Sequence, residues 1–203
     1  MMLMILINEP IPFDNFHLIR DSICAILLCE LENQLDLQGC GESIGVWSER
    51  SNTFNQSEEL MINVSFDSSN YSNHTEMTTN SENVFFIDVV ASAKENSENN
   101  GGFNSSKLRD KYVSMIRFIL SHHRYRKLSL PAPIVLSSWV GNVETFDPKT
   151  NSDTSFVKMS RIYFNVKSTE CSSFDEGVCF DSIFSEVKLC DTDLGYKYEF
   201  KLN

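Results

Sequence analysis

Residues 105–133, SSKLRDKYVSMIRFILSHHRYRKLSLPAP, decide the reading of the fold. Leu108, Tyr112, Met115, Ile116, Ile119 and Leu120 recur at helical spacing, while Lys107, Arg109, Lys111 and Arg117 fall largely on other faces. The stretch therefore reads as an amphipathic helix, and its apolar stripe must lie on something. Ser105-Ser106 offers an N-cap, and Arg124, Arg126 and Lys127 come just past the expected end, where cations suit the helix dipole. Pro131 and Pro133 forbid continuation.

Strand patterns surround this helix. After it, residues 134–146 and 155–168 read as strands, the second marked by Phe156, Ile162, Phe164 and Val166, with Asp147-Pro148-Lys149-Thr150-Asn151 as a hairpin loop between them. Before it, residues 84–93 place Phe85, Ile87, Val89 and Ala91 on one side and Phe86, Asp88 and Val90 on the other. Both faces are mostly apolar, as expected of a central strand. Leu60, Ile62, Val64 and Phe66 alternate with Met61, Asn63 and Ser65, the period of a half-buried strand. Residues 44–50 read as a short strand and 51–57 as a polar turn. Nearer the start, Asp14 can cap a first helix whose stripe, Phe16, Ile19, Ile23, Ile26, Leu27, Leu31 and Leu35, runs until Gly39 and Gly41.

The remaining stretches are polar. Residues 67–83 are rich in Ser, Asn and Thr and read as a long mobile loop; residues 94–104, with Gly101-Gly102, read as a second. Residues 170–203 alternate Ser/Asp-rich pieces with Ile183-Phe184, Val187, Leu189, Tyr196, Tyr198 and Phe200, which describes an extra hairpin or an arm that docks on a neighbour. The order helix, three strands, helix, two strands implies an α+β fold, a mixed or antiparallel sheet with two main helices on one face. The expected domains are 1–169 and a C-terminal extension, 170–203.

A chain of 203 residues with 41% hydrophobic residues and 15 Phe can bury one proper core. The formal charge of −11 argues against a dedicated nucleic-acid binder. Charge is uneven: residues 105–130 hold seven Lys or Arg against one Asp, +6, whereas 67–104 and 170–203 each come to −5. That asymmetry fits either intramolecular pairing or a head-to-tail contact between copies, with Arg124, Arg126 and Lys127 facing acidic residues such as Asp67, Glu76, Glu95 and Glu98. A solvated basic helix face accounts for it equally well.

Six cysteines, Cys24, Cys29, Cys40, Cys171, Cys179 and Cys190, form no C-x-x-C pair, and no His lies close to them in sequence, so no metal site is expected. A secreted, disulfide-bonded binding module is the competing idea, encouraged by five Asn-x-Ser/Thr matches, although sequons mean little in a chain this rich in Asn and Ser. Residues 1–7 are apolar but short, without a basic flank, and run into Asn8-Glu9-Pro10; they read as neither signal peptide nor membrane span, so the protein is expected to be soluble and intracellular when made.

No catalytic candidate outweighs its bland alternative, and no enzyme activity or cofactor is expected. His122-His123 point in different directions at a helix end, His17 and His74 are isolated, and the glycines lack phosphate-loop spacing. A hydrolase using His122 or His123 is the remaining enzymatic idea. Glu58-Glu59 and Asp175-Glu176 read as solvated loop residues, and Trp47 and Trp139 as core or interface anchors.

The series of an early helix, the strands Val46-Trp47-Ser48-Glu49-Arg50, Leu60-Met61-Ile62-Asn63-Val64 and Phe86-Ile87-Asp88-Val89 with an Asn/Ser loop between the last two, and the helix ending in Ile119-Leu120-Ser121-His122-His123-Arg124-Tyr125-Arg126-Lys127-Leu128 resembles the tail terminator proteins of long-tailed bacteriophages. In that family a helix also ends in a short x-x-Tyr-x-x-Leu turn before the closing strands. The resemblance covers residues 14–168. It implies a sheet backed by helices and a homohexameric ring in the virion, made in the host cytoplasm, that caps the tail tube and joins it to the neck. The implied partners are the chain itself, the tail tube protein and a neck or head-completion protein, with no membrane; DNA would pass through the lumen without specific binding. A head-tail connector or neck protein is the nearest alternative.

Overall fold

The apolar stripes become two helices on one side of a five-stranded sheet. The computed structural model describes residues 14–40, 44–51, 58–73, 78–93, 100–131, 134–146, 156–171, 182–187 and 196–201. In chain order the elements are α1 (Phe16–Leu37), β1 (Val46–Ser48), β2 (Leu60–Asn73), β3 (Thr78–Ala93), α2 (Gly101–Ser121), a 3-10 turn (His123–Tyr125), β4 (Val135–Phe146), β5 (Phe156–Cys171), β6 (Ser182–Val187) and β7 (Tyr196–Lys201). The chain divides into two compact units, Met1–Ser172 and Ser173–Asn203. The second contains β6 and β7 as an antiparallel pair, Ser182 opposite Lys201 and Val187 opposite Tyr196.

In the first unit the strand order is β1-β2-β3-β5-β4. β1 runs parallel to β2 and every other pair is antiparallel, so the sheet is mixed and β3 is its centre. α1 packs on β1 and β2, α2 on β3, β5 and β4, and the helices touch each other. Ile19, Ile23, Leu27 and Leu31 of α1, Tyr112 and Ile116 of α2, and Ile62, Phe85, Ile87, Ile162 and Phe164 of the sheet are all buried in one core. The architecture is α+β, with both helices covering one face.

Helix ends follow local chemistry. α1 stops where Gly39 adopts φ 67°, letting the Cys40 amide reach the Leu35 carbonyl at 2.9 Å. Its first cap is Asn15, which makes no side-chain cap bond; instead its amide donates to the Thr169 carbonyl at 2.9 Å and ties the helix start to β5. α2 begins at Gly101, four residues before the serine expected to cap it. Asn100 is the cap, accepting from the Phe103 amide at 2.8 Å, while Ser105 is buried within the helix and donates back to the Gly101 carbonyl at 2.8 Å. Glycine is required at 101 because a Cβ there would fall 2.3 Å from the Phe156 ring and 2.8 Å from the Ala93 carbonyl.

The largest departure from the sequence reading is at residues 67–83. Apart from 74–77, outside the described residues, this stretch is strand: β2 and β3 stay paired from Leu60 opposite Ala91 out to Asn73 opposite Thr79. Its composition misled because the helix-side residues here bond to one another rather than to water. Ser69 donates to the Asn83 carboxamide oxygen, the Asn83 amide donates to Ser168 at 2.9 Å and Ser81 at 3.2 Å, and the Ser81 and Ser168 hydroxyls share a 2.6 Å bond. Ser81, Asn83 and Ser168 are at most 3% exposed. A polar strand is stable when its side chains satisfy each other across the ladder. Residues 1–13, 52–57, 94–99 and 147–155 lie outside the described residues, as do His74 and the other loop positions.

Candidate functional site

The basic turn after α2 is built by its two apolar members. Tyr125 and Leu128, the Tyr-x-x-Leu pair of the sequence, act as a latch: the Tyr125 hydroxyl donates to Glu30 of α1, and Leu128 is fully buried in the core. The hydrogen bond to Glu30 and partial burial hold the Tyr125 phenol above its ordinary pKa. Leu128 and Ser129 take φ of 53° and 54°, unusual for residues with a Cβ, and the Ser22 hydroxyl of α1 donates to the Leu128 carbonyl. The strained turn is thus held from α1 on one side and from β4 on the other.

Arg124, Arg126 and Lys127 are exposed on this latch. Lys127 donates its ammonium to the Leu136 carbonyl of β4, and the Arg126 carbonyl accepts from Ser138 at 3.1 Å. The first contact takes up a backbone carbonyl at the start of the β4 edge, and the second ties a β4 side chain to the turn. The turn therefore has a structural part, while the Arg124 and Arg126 guanidiniums remain at the surface. Of the acidic residues expected to face it, Asp67 is exposed at a bulge in β2 and accepts from Ser68 at 2.9 Å. β3 and β5 separate β2 from β4, so the structure does not bring Asp67 and the basic turn together. Glu76, Glu95 and Glu98 lie outside the described residues.

His122 closes the end of α2. It adopts an extended conformation, its Nδ1 accepts from the Arg124 amide at 3.3 Å, and its ring lies 4.3 Å from that of His123. Among the described residues no group of three or more His, Cys, Asp or Glu is placed to hold a metal ion. Cys24, Cys29 and Cys40 are free thiols, and burial pushes the Cys24 thiol up to about 11. No described helix is long and apolar enough to cross a membrane.

Two features escaped the sequence reading. One is the sheet face away from the helices, where Arg161 clasps Asp88 with bonds of 2.7 and 2.9 Å and lies 4.2 Å over the Phe86 ring. Tyr163 meets Phe86 edge-on at 5.0 Å and donates to Glu144 at 2.9 Å. The fork to Asp88 holds the Arg161 guanidinium above its ordinary pKa. A lone Asp inside the apolar run Phe85-Phe86-Ile87-Asp88-Val89-Val90 was the available signal. Trp47 and Trp139, 47% and 37% exposed, stand at the surface rather than in the core; Arg50 covers Trp47 at 4.9 Å and Lys167 covers Trp139 at 5.7 Å. Arg50 also binds Glu58 at 3.0 Å, so Glu58 is paired rather than merely solvated.

The other missed feature is the outer surface of the helix layer. α1 and α2 leave between them a groove of about 480 Å³ lined by Gln34, Met115, Phe118, Ile119 and His122. The charge count by stretch hid an acidic row on α1, Asp21, Glu32 and Asp36, all exposed. Its spacing against the buried Ile19, Ile23, Leu27, Leu31 stripe was the signal. No protein-family model matches the chain, and no curated protein matches it either.

Proposed function

We propose that the chain is a structural subunit of a phage tail, a tail terminator that works as a homohexameric ring, caps the tail tube and joins it to the neck or head. The observation that supports this reading most is the element order, helix, three strands, helix, two strands, with both helices on one face and the second helix closed by the Tyr125–Leu128 latch. That is the arrangement the resemblance implies, with its turn motif in a working role. Ring contacts are heterologous and need two unlike patches on each copy. The exposed basic turn is one of them, and the surplus of acidic residues in the chain supplies the chemistry of the other. On this reading the protein does no covalent chemistry, and DNA slides past an acidic lumen that repels its phosphates.

Native mass spectrometry and negative-stain imaging of the full chain, alone and with tail tubes, test the proposal. A closed ring, or a ring that forms when tubes are added, is the expected result. A strict monomer indifferent to tubes would sink it, and a ring that binds heads while ignoring tubes would favour a neck protein.

A further inference from the structure

Among the described residues, only the turn after α2 has two neighbouring non-glycine residues at positive φ. Leu128 and Ser129 take 53° and 54°, and the Leu130 amide donates to the Lys127 carbonyl at 3.0 Å, the pattern of a primed β-turn. Such turns ordinarily carry Asn-Gly. Here a leucine and a serine, each with a Cβ, occupy the sparsely populated region. What offsets the strain comes from outside the turn. Leu128 is fully buried in the core, the Ser22 hydroxyl donates to the Leu128 carbonyl, the Tyr125 hydroxyl donates to Glu30, and Lys127 donates to the Leu136 carbonyl. Two strained residues, one buried leucine and a few hydrogen bonds are contributions of the same order. The hydrogen bonds therefore decide the balance, and two of them come from one helix, through Ser22 and Glu30, about two turns apart on α1.

We propose that residues 122–130 form a two-state strap, latched to α1 in the form seen, and that Ser22 and Glu30 are positioning residues for the surface made by Arg124 and Arg126. The two arginines flank Tyr125 in the chain, so the place of its phenol fixes theirs. With the latch closed, both stand at the surface beside the β4 edge, where Ser138 holds the Arg126 carbonyl at 3.1 Å. With it open, the turn relaxes to negative φ, Leu128 leaves the core and the two cations lose their fixed spacing. The proposal rests on the reading of the chain as a ring subunit, in which the basic turn meets the neighbouring copy. A neighbour that grips both arginines then favours the closed form by its differential affinity for it.

Amide hydrogen exchange on the full chain, read beside the ring fraction in native mass spectra, tests the strap. Tyr125→Phe and Ser22→Ala each remove one latch bond. Each is expected to speed exchange at the Leu128 and Leu130 amides at least about fivefold, to leave the β3 amides unchanged and to lower the ring fraction. Ser129→Gly removes strain without touching the latch and is expected to slow exchange at the same two amides. Added to Tyr125→Phe, it is expected to recover the ring, because the turn then keeps its shape without the bond. Exchange at Leu128 and Leu130 that no single variant alters overturns the strap. So does a ring that Tyr125→Phe leaves intact while Arg124→Glu with Arg126→Glu abolishes it, since the cations would then bind without being positioned. If exchange responds as expected and the wild type forms no ring with or without tail tubes, the strap stands and the tail-terminator reading falls.

Discussion

The two faces of the central strand solve the same problem differently. Toward the helices, β3 presents Phe85, Ile87, Val89 and Ala91, all fully buried, and the face is held by dry packing. Away from them, the same strand presents Phe86, Asp88 and Val90, and Asp88 leaves water only because Arg161 binds it through two of its guanidinium nitrogens. The first face is secured by apolar area and tolerates no vacancy. The second is secured by a pair of charges whose desolvation must be offset by geometry. Burial alone barely distinguishes them: Val89 on the first face and Asp88 on the second are 0% and 8% exposed.

The sharpest test removes one piece from each face. Phe164→Ala empties a fully buried ring site on the helix side and is expected to cost about 4 kcal/mol in denaturant unfolding. Arg161→Ala strands Asp88 and is expected to cost about 3 kcal/mol, somewhat below the fully buried case because the arginine side chain is 28% exposed. The double replacement Arg161→Met, Asp88→Leu should recover much of that loss. If the double variant were as unstable as the single, the face would depend on the pair itself and not on avoiding an unpaired charge.

The smallest expected effect lies at the polar end of the helix-side face. Burial, then the neighbouring Asp14 carboxylate, raises the pKa of Glu170 above the usual 4.5. Its raised value means the folded state keeps a proton that the unfolded chain has released, so this contribution to stability falls as pH rises from about 4.5 through the folded pKa. Glu170→Gln cannot titrate, and a series of thermal transitions should show the wild type losing stability relative to it over that window. Parallel curves for the two proteins would mean that Asp14 and Glu170 do not share their environment when folded.

Much of this fold was legible in the sequence. The stripes of α1 and α2 and the alternation in residues 60–66 and 84–93 all reflect one-sided burial, which leaves a period in the residue order. The polar half of the β2–β3 hairpin was not legible, because Ser69, Ser81, Asn83 and Ser168 satisfy each other between strands instead of against an apolar neighbour. The basic turn was visible as a run of charge, but its latch to Glu30 and to the β4 edge was not. The acidic row on α1 was overlooked because its members are spread over several turns and gather only when the helix is wound.

The sequence by itself determined which segments are helices, where the apolar strands run and that the chain carries an exposed basic turn. Tertiary structure alone decided the order β1-β2-β3-β5-β4, the parallel entry of β1, the extension of β2 and β3 by polar residues and the union of Asp88 with Arg161, 73 positions away. The physical reason is that hydrophobic period records only that a side chain leaves water. What it leaves water for is set by whichever distant strand or helix arrives beside it, and for a polar or charged group that partner decides whether burial stabilises or destabilises the fold.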